Sequence, residues 1–135
     1  MTDDARKRSI AAELARGKDA LESAAILVQA GKYADAVSRA YYGAMHHVRA
    51  LLPTEGTEPA THQGLQRLLS RDFVRAGRVD AETARAFSAL EKFRQDADYT
   101  SEIVFTADAA ARDVESANHI AETVRRILFD GTWLD

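Results

Sequence analysis

No stretch of this chain alternates convincingly between apolar and polar residues with a period of two, so nothing in it reads as a half-buried strand. Apolar residues recur instead at helical spacing along most of the chain. Proline occurs only at Pro53 and Pro59, both inside PTEGTEP, and alanine is very frequent. That distribution calls for long helices and one obvious loop.

Five helices can be placed. Thr2 followed by Asp3 and Asp4 suits a helix start. Ile10, Leu14, Leu21, Ala24, Ala25 and Val28 make the first apolar stripe, and Gly31 ends it. The second helix runs from about Tyr33 to Leu52, with Tyr33, Val37, Ala40, Tyr41, Ala44, Met45, Val48, Leu51 and Leu52 on its buried face. Thr61 can cap a third helix carrying Leu65, Leu68, Leu69 and Phe73, which Gly77 ends. Asp80 can cap a fourth, with Ala84, Phe87 and Leu90 facing inward. TSEIVF is extended or irregular. Thr106 opens the fifth helix, where Ala110, Val114, Ala117, Ala121, Val124 and Leu128 repeat at close to heptad spacing. The tail FDGTWLD is expected to pack Phe129 or Trp133 back on the rest. Short connections favour antiparallel neighbours, hence an all-α, up-and-down helical bundle.

The 135 residues fit one domain with a single core. A net charge of −3 provides no global field toward nucleic acid, so any such contact must be local. The absence of cysteine excludes disulfides, thiolate chemistry and cysteine-based zinc sites. The apolar runs fall short of a membrane span, and MTDDARKRS lacks the apolar core of a secretory signal. A cytoplasmic protein without membrane contact is expected. No H-E-x-x-H, P-loop or G-x-G-x-x-G motif occurs, so no metal or cofactor is expected.

Charged residues interrupt the fourth helix. At ~100° per residue, Arg94 and Asp98 continue the stripe of Phe87 and Leu90. A lone buried charge is expensive, so both must be paired or face a cleft or another subunit. The plain alternative is a structural ion pair at i,i+4. Tyr99 lies ~140° around the helix from Arg94, and a shared site would need a helix end, a kink or a second chain.

Two other polar faces stand out. Asp35, Arg39, Tyr42, His46 and Arg49 cluster within ~80° on the second helix, opposite its apolar stripe. A histidine beside an arginine can act on a phosphodiester, although a polar outer face with i,i+3 and i,i+4 pairs is the plainer reading of the cluster. His47 falls off this cluster and reads as surface. Arg67, Arg71, Arg75 and Arg78 form a stripe on the third helix, offset only by Asp72. Such a stripe can follow a nucleic-acid backbone or simply be solvated. His62, in the first turn of the same helix, could assist phosphate binding there.

GKYADAVSRAYYGAMHHVRALL, then THQGLQRLLSRDFVRAGRV, then LEKFRQDADY resembles, in order and spacing, the HEPN domain family. The chain looks most like small stand-alone prokaryotic members with S-R-A-Y-Y and R-x-x-A-D-Y motifs, over roughly residues 10–128. The resemblance implies a helical bundle, a homodimer and binding of RNA or a nucleotide. It also implies a toxin-like role beside a minimal nucleotidyltransferase antitoxin, which can modify a tyrosine near the signature. Many members are metal-independent endoribonucleases, with a signature arginine followed a few residues later by histidine. Carried over, the signature falls on Arg94, Asp98 and Tyr99, with Tyr99 where the histidine would stand. A phenol with a reference pKa near ~10 is a poor base at neutral pH. Arg94 would contact phosphate, Asp98 orient Arg94 or Tyr99, and Tyr99 bind the ligand or accept a nucleotidyl group. Arg39 and His46 show a similar spacing, but on another helix. The alternative is a non-catalytic dimeric interaction module or a nucleotide sensor.

Overall fold

The computed structural model describes residues 2–58 and 61–134; Pro59, one of the two loop prolines, lies outside them. Five α-helices follow one another: α1 (Asp3–Gln29), α2 (Tyr33–Leu51), α3 (His62–Leu68), α4 (Ala81–Tyr99) and α5 (Ala107–Asp130). Among the described residues there is no strand. The expected caps form as their chemistry dictates. Thr2, Thr61, Asp80 and Thr106 accept from the amides of Ala5, Gly64, Thr83 and Ala109. α1 ends before Gly31, whose φ of 75° most side chains resist.

α2 is the central element and packs against α1, α4 and α5. Its expected apolar face is buried apart from the half-buried Tyr33, and the whole α5 stripe is buried with it. These faces merge into one core that includes Phe73 and Phe87. Three local expectations are corrected, and the tail packs by one of its two candidate residues. Ala25 is exposed rather than on the stripe of α1. Leu52 begins a 3-10 turn, Leu52–Glu55, instead of ending α2. Trp133 packs on the core, whereas Phe129 stays 60% exposed. After Leu68 the backbone continues as a π-helical turn, Leu69–Val74, with the Arg75 amide reaching Ser70.

His47 is the largest correction, being 1% exposed rather than on the surface. Its Nδ1 donates to the Gly43 carbonyl at 2.8 Å. Its Nε2 accepts from Arg125 Nε on α5 at 3.3 Å. The second bond requires the neutral ring, since a protonated Nε2 cannot accept. Burial pushes its pKa below the ordinary 6.5, and the charges of Arg125 and His46 add to this, against the Gly43 bond. Lys18 and Glu22 of α1 and Glu122 of α5 line the same cleft. Because the unfolded ring takes up a proton first, this contribution to stability is present above pH 6.5 and is lost as pH falls toward the lowered folded value. Asp113 acts in the opposite sense. Burial raises its carboxyl to about 6 against the charge of Arg112, so its contribution is lost as pH rises through that value. Urea midpoints of the wild type should therefore fall between about pH 7.5 and about pH 5.5 more steeply than those of His47→Gln. Equal slopes would contradict the buried neutral imidazole.

Candidate functional site

The site forms where the C-terminal half of α4 crosses α2 and the start of α3. Tyr41 and Tyr42 are adjacent on α2, so their side chains leave on neighbouring faces. Tyr41 is fully buried and stacks on Phe87 of α4, with centroids 5.7 Å apart and planes within 7°. Tyr42 is half-buried and meets Tyr41 edge-on at 5.3 Å. This pair forms an aromatic floor.

Arg94 lies over that floor. Its guanidinium carbon is 5.2 Å from the centroid of Tyr41, 6.0 Å from Tyr42 and 5.9 Å from Tyr99. Three ring faces thus surround a cation that is only 6% exposed, and each desolvated contact of this kind contributes up to ~2 kcal/mol. Carboxylate pairing is weak by comparison. Arg94 Nη1 lies 3.6 Å from Asp98 Oδ2, too long for a hydrogen bond. Arg94 Nε is buried with no hydrogen-bond partner among the described residues. An orphaned donor on a buried charge is costly.

Tyr99 meets Arg94 despite the angle between them on a regular helix, because Tyr99 is the last residue of α4. A helix end supplies the reach. The ring itself is 79% exposed.

His62 enters from α3. As the first helical residue after the Thr61 cap, it brings its Nδ1 within 2.7 Å of the Tyr41 hydroxyl. Burial pushes that hydroxyl far above the ordinary phenol range and the Glu91 charge adds to it, against the charge of Arg94. Tyr41 therefore stays protonated. Thr61 Oγ already takes the Gly64 amide at 2.8 Å, so that amide of the helix start is not open to phosphate.

Two openings flank Arg94, and both are lined by His62, Arg94 and Gln95. One, of about 620 Å³, runs between α3 and α4 past Gln66, Glu91 and Lys92. The other, of about 520 Å³, is lined also by Tyr42, Asp96 and Tyr99.

The remaining expected residues divide. Arg39 lies 5.5 Å from the centroid of Tyr42, so that ring has a cation near it from each of two helices. His46 and Arg49 leave this cluster and face α1. His46 Nδ1 is 2.7 Å from Glu13 Oε2, and Arg49 Nε donates to Glu13 Oε1 at 3.3 Å. Burial alone would raise the Glu13 carboxyl, but these two partners hold it below its ordinary value. This polar face is thus a half-buried helix contact, and His46 lines neither opening beside Arg94. The arginine stripe of α3 is broken up as well. Arg67, Arg71 and Arg75 are exposed, Arg71 pairs with Asp72 at 2.7 Å, and Arg78 turns to Glu55 and the Phe73 ring. The π turn shifts the phase that a regular helix would keep.

Two residues escaped the sequence reading. Tyr41 sits in the apolar stripe and is indistinguishable there from core. Glu91 precedes Arg94 by three residues, a spacing that puts both on one helix face. Among the described residues no cluster of acidic and histidine side chains could hold a metal ion, and no helix is long and apolar enough to cross a membrane.

A family model described as the HEPN domain matches residues 11–128. A "UPF0332 protein" of Thermotoga maritima is 24% identical over 115 residues, covering 85% of this chain and 87% of the relative. A Methanocaldococcus jannaschii protein named "Putative toxin MJ0605" is 29% identical over 122 residues, 90% of each chain. The crystal structure of TT1696 from Thermus thermophilus superposes with a TM-score of 0.76, covering 88% of this chain and 98% of that one. At 21% identity, that likeness is one of fold.

Proposed function

The chain belongs to the HEPN domain family, and from that premise we propose that it is a toxin-like, RNA-binding homodimer paired with a minimal nucleotidyltransferase in the cytoplasm. Two Methanocaldococcus jannaschii relatives, each named "Putative toxin", support the role. The observation that carries the binding reading is Arg94, a buried guanidinium with an unpartnered Nε, whose side chain lines two openings. An RNA phosphate would satisfy that donor and replace the distant Asp98 as its counter-charge. Tyr42 and Tyr99 supply ring faces on which a base can stack. The exposed Tyr99 hydroxyl is also accessible to a nucleotidyl-transferring partner. Anisotropy titration of a short single-stranded RNA tests the reading. Binding should depend on Arg94, and wild-type protein without RNA affinity would contradict it.

A second copy is the proposed cover for the end of α4. Val104 is 85% exposed and Ile103 42%, both in the segment after α4. Apolar groups gathered beside a polar cleft mark an interaction surface. Light scattering should report a wild-type dimer at micromolar concentration and a monomer for Val104→Asp. A wild-type monomer would overturn the dimer. The same patch would serve a non-catalytic docking module, which predicts dimerisation without RNA binding. Co-purification of a nucleotidyltransferase encoded by the adjacent reading frame tests the partner; its absence would remove the antitoxin pairing.

A further inference from the structure

The cleft over His47 shares no lining residue with either opening beside Arg94. It has a volume of about 470 Å³ and runs between α1 and α5. Its lining rises along α1 from Lys18 to Ala25 while it falls along α5 from Arg125 to Asn118, so the two walls are antiparallel. That order sets the chemistry along the cleft. Gly17 lies against the His47 ring and Arg125 bonds to the same ring, which puts Lys18 and Arg125 together at one end. One turn further along each helix stand Glu22 and Glu122. Leu21, Ala25 and Ala121 give this stretch an apolar wall.

His47 fixes how Arg125 can act. The buried ring takes the Nε–H of Arg125 at 3.3 Å, so the two terminal nitrogens of the guanidinium are left as a fork for a second acceptor. Lys18 and Glu22 stand at i,i+4, and Glu122 and Arg125 at i,i+3, spacings that favour ion pairs within each helix. Neither pair is made among the described residues. Two cations and two carboxylates therefore face one opening over a neutral imidazole, with their charges unpaired. A simple anion or cation bound there would meet like charge one turn away. A molecule that carries both signs meets opposite charge at both places. From this arrangement we propose that the cleft binds a free α-amino acid. Its carboxylate lies on Arg125 and Lys18, its ammonium on Glu22 and Glu122, and a small apolar side chain against Leu21, Ala25 and Ala121. The two charged groups hang on one carbon, and with a hydrogen bond of ~2.8 Å at each they span the ~5.4 Å turn between the basic and acidic pairs.

NMR titration of isotope-labelled protein tests this with three probes of one shape. L-Leucine carries both charges, leucinamide lacks the carboxylate, and 4-methylpentanoate lacks the ammonium. Leucine should saturate one site below about 10 mM and shift the His47 ring and the Arg125 Nε–Hε resonance, and each of the other two should bind at least about tenfold more weakly. Arg125→Gln should weaken leucine binding roughly tenfold or more, and so should Glu22→Gln combined with Glu122→Gln. Both glutamates are exposed, so the combined variant should keep the wild-type melting temperature and reads the site even where Arg125→Gln lowers stability. Undiminished binding by the combined variant would overturn the proposal, as would equal binding of leucinamide or 4-methylpentanoate. Failure of leucine, alanine and asparagine alike to saturate the cleft at that concentration would overturn it as well.

Discussion

Arg94→Ala is expected to weaken binding of single-stranded RNA by roughly 10- to 100-fold, the loss of one charge-assisted hydrogen bond at ~1.5–3 kcal/mol. Three observations set that size. The guanidinium is nearly buried, so its interaction with phosphate is poorly screened by water and salt. Its Nε has no hydrogen-bond partner to give up. The rings of Tyr41, Tyr42 and Tyr99 hold it in place beforehand, which reduces the entropy lost on binding. Arg71→Ala is the matched comparison. That side chain is exposed and already paired with Asp72, and its removal should change affinity less than about threefold. Arg94→Lys should recover only part of the loss, because an ammonium keeps the charge but cannot reproduce the planar fork between rings. Anisotropy titrations of the three variants at one fixed salt concentration provide the measurement. Equal affinities for Arg94→Ala and wild type would move the binding site elsewhere.

Gly17→Ala is expected to destabilise the bundle by ~1–3 kcal/mol, against the ~1 kcal/mol that alanine normally adds over glycine inside a helix. A methyl group at Gly17 would sit 2.6 Å from His47 Cε1 and 3.1 Å from the Gly43 carbonyl oxygen. The reciprocal is true on α2, where a methyl at Gly43 would sit 2.6 Å from Leu21 Cγ and 3.3 Å from the Gly17 oxygen. α1 and α2 thus cross at two glycines facing each other, and His47 fills the space beside them. The strain belongs largely to the pair Gly17 and His47. Most of it should vanish when Gly17→Ala is placed on a His47→Ala background, a coupling that a double-mutant cycle in urea reads directly. A stabilised Gly17→Ala single variant would contradict the close crossing.

The fold was readable because helical apolar spacing, four side-chain caps and the scarcity of proline all pointed the same way. The charged residues at the centre of the candidate site stood out in the sequence for a related reason. Arg94 and Asp98 violate an otherwise apolar stripe, and a violation of local pattern is visible without the structure. Other parts depend on distant residues. His47 is buried because Gly17 leaves room for it and Arg125, 78 positions away, satisfies its Nε2. No local pattern carries that information. The angle between Arg94 and Tyr99 assumes a regular helix, and α4 stops at Tyr99. The arginine stripe of α3 assumes the same, and a π turn interrupts it. Tyr41 is core by pattern and part of the site by contact, because the same ring packs on Phe87, underlies Arg94 and bonds His62.

The central claim is that an RNA phosphate occupies the unpartnered side of Arg94. The most direct measurement is the Nε–Hε resonance of each arginine in isotope-labelled protein, followed by NMR as a short single-stranded RNA is added. The Arg94 resonance, assigned by its absence in Arg94→Lys, should shift downfield and exchange more slowly with water as the donor gains an acceptor. A shift confined to Arg67, Arg71 and Arg75, with Arg94 unmoved at saturation, would contradict the account.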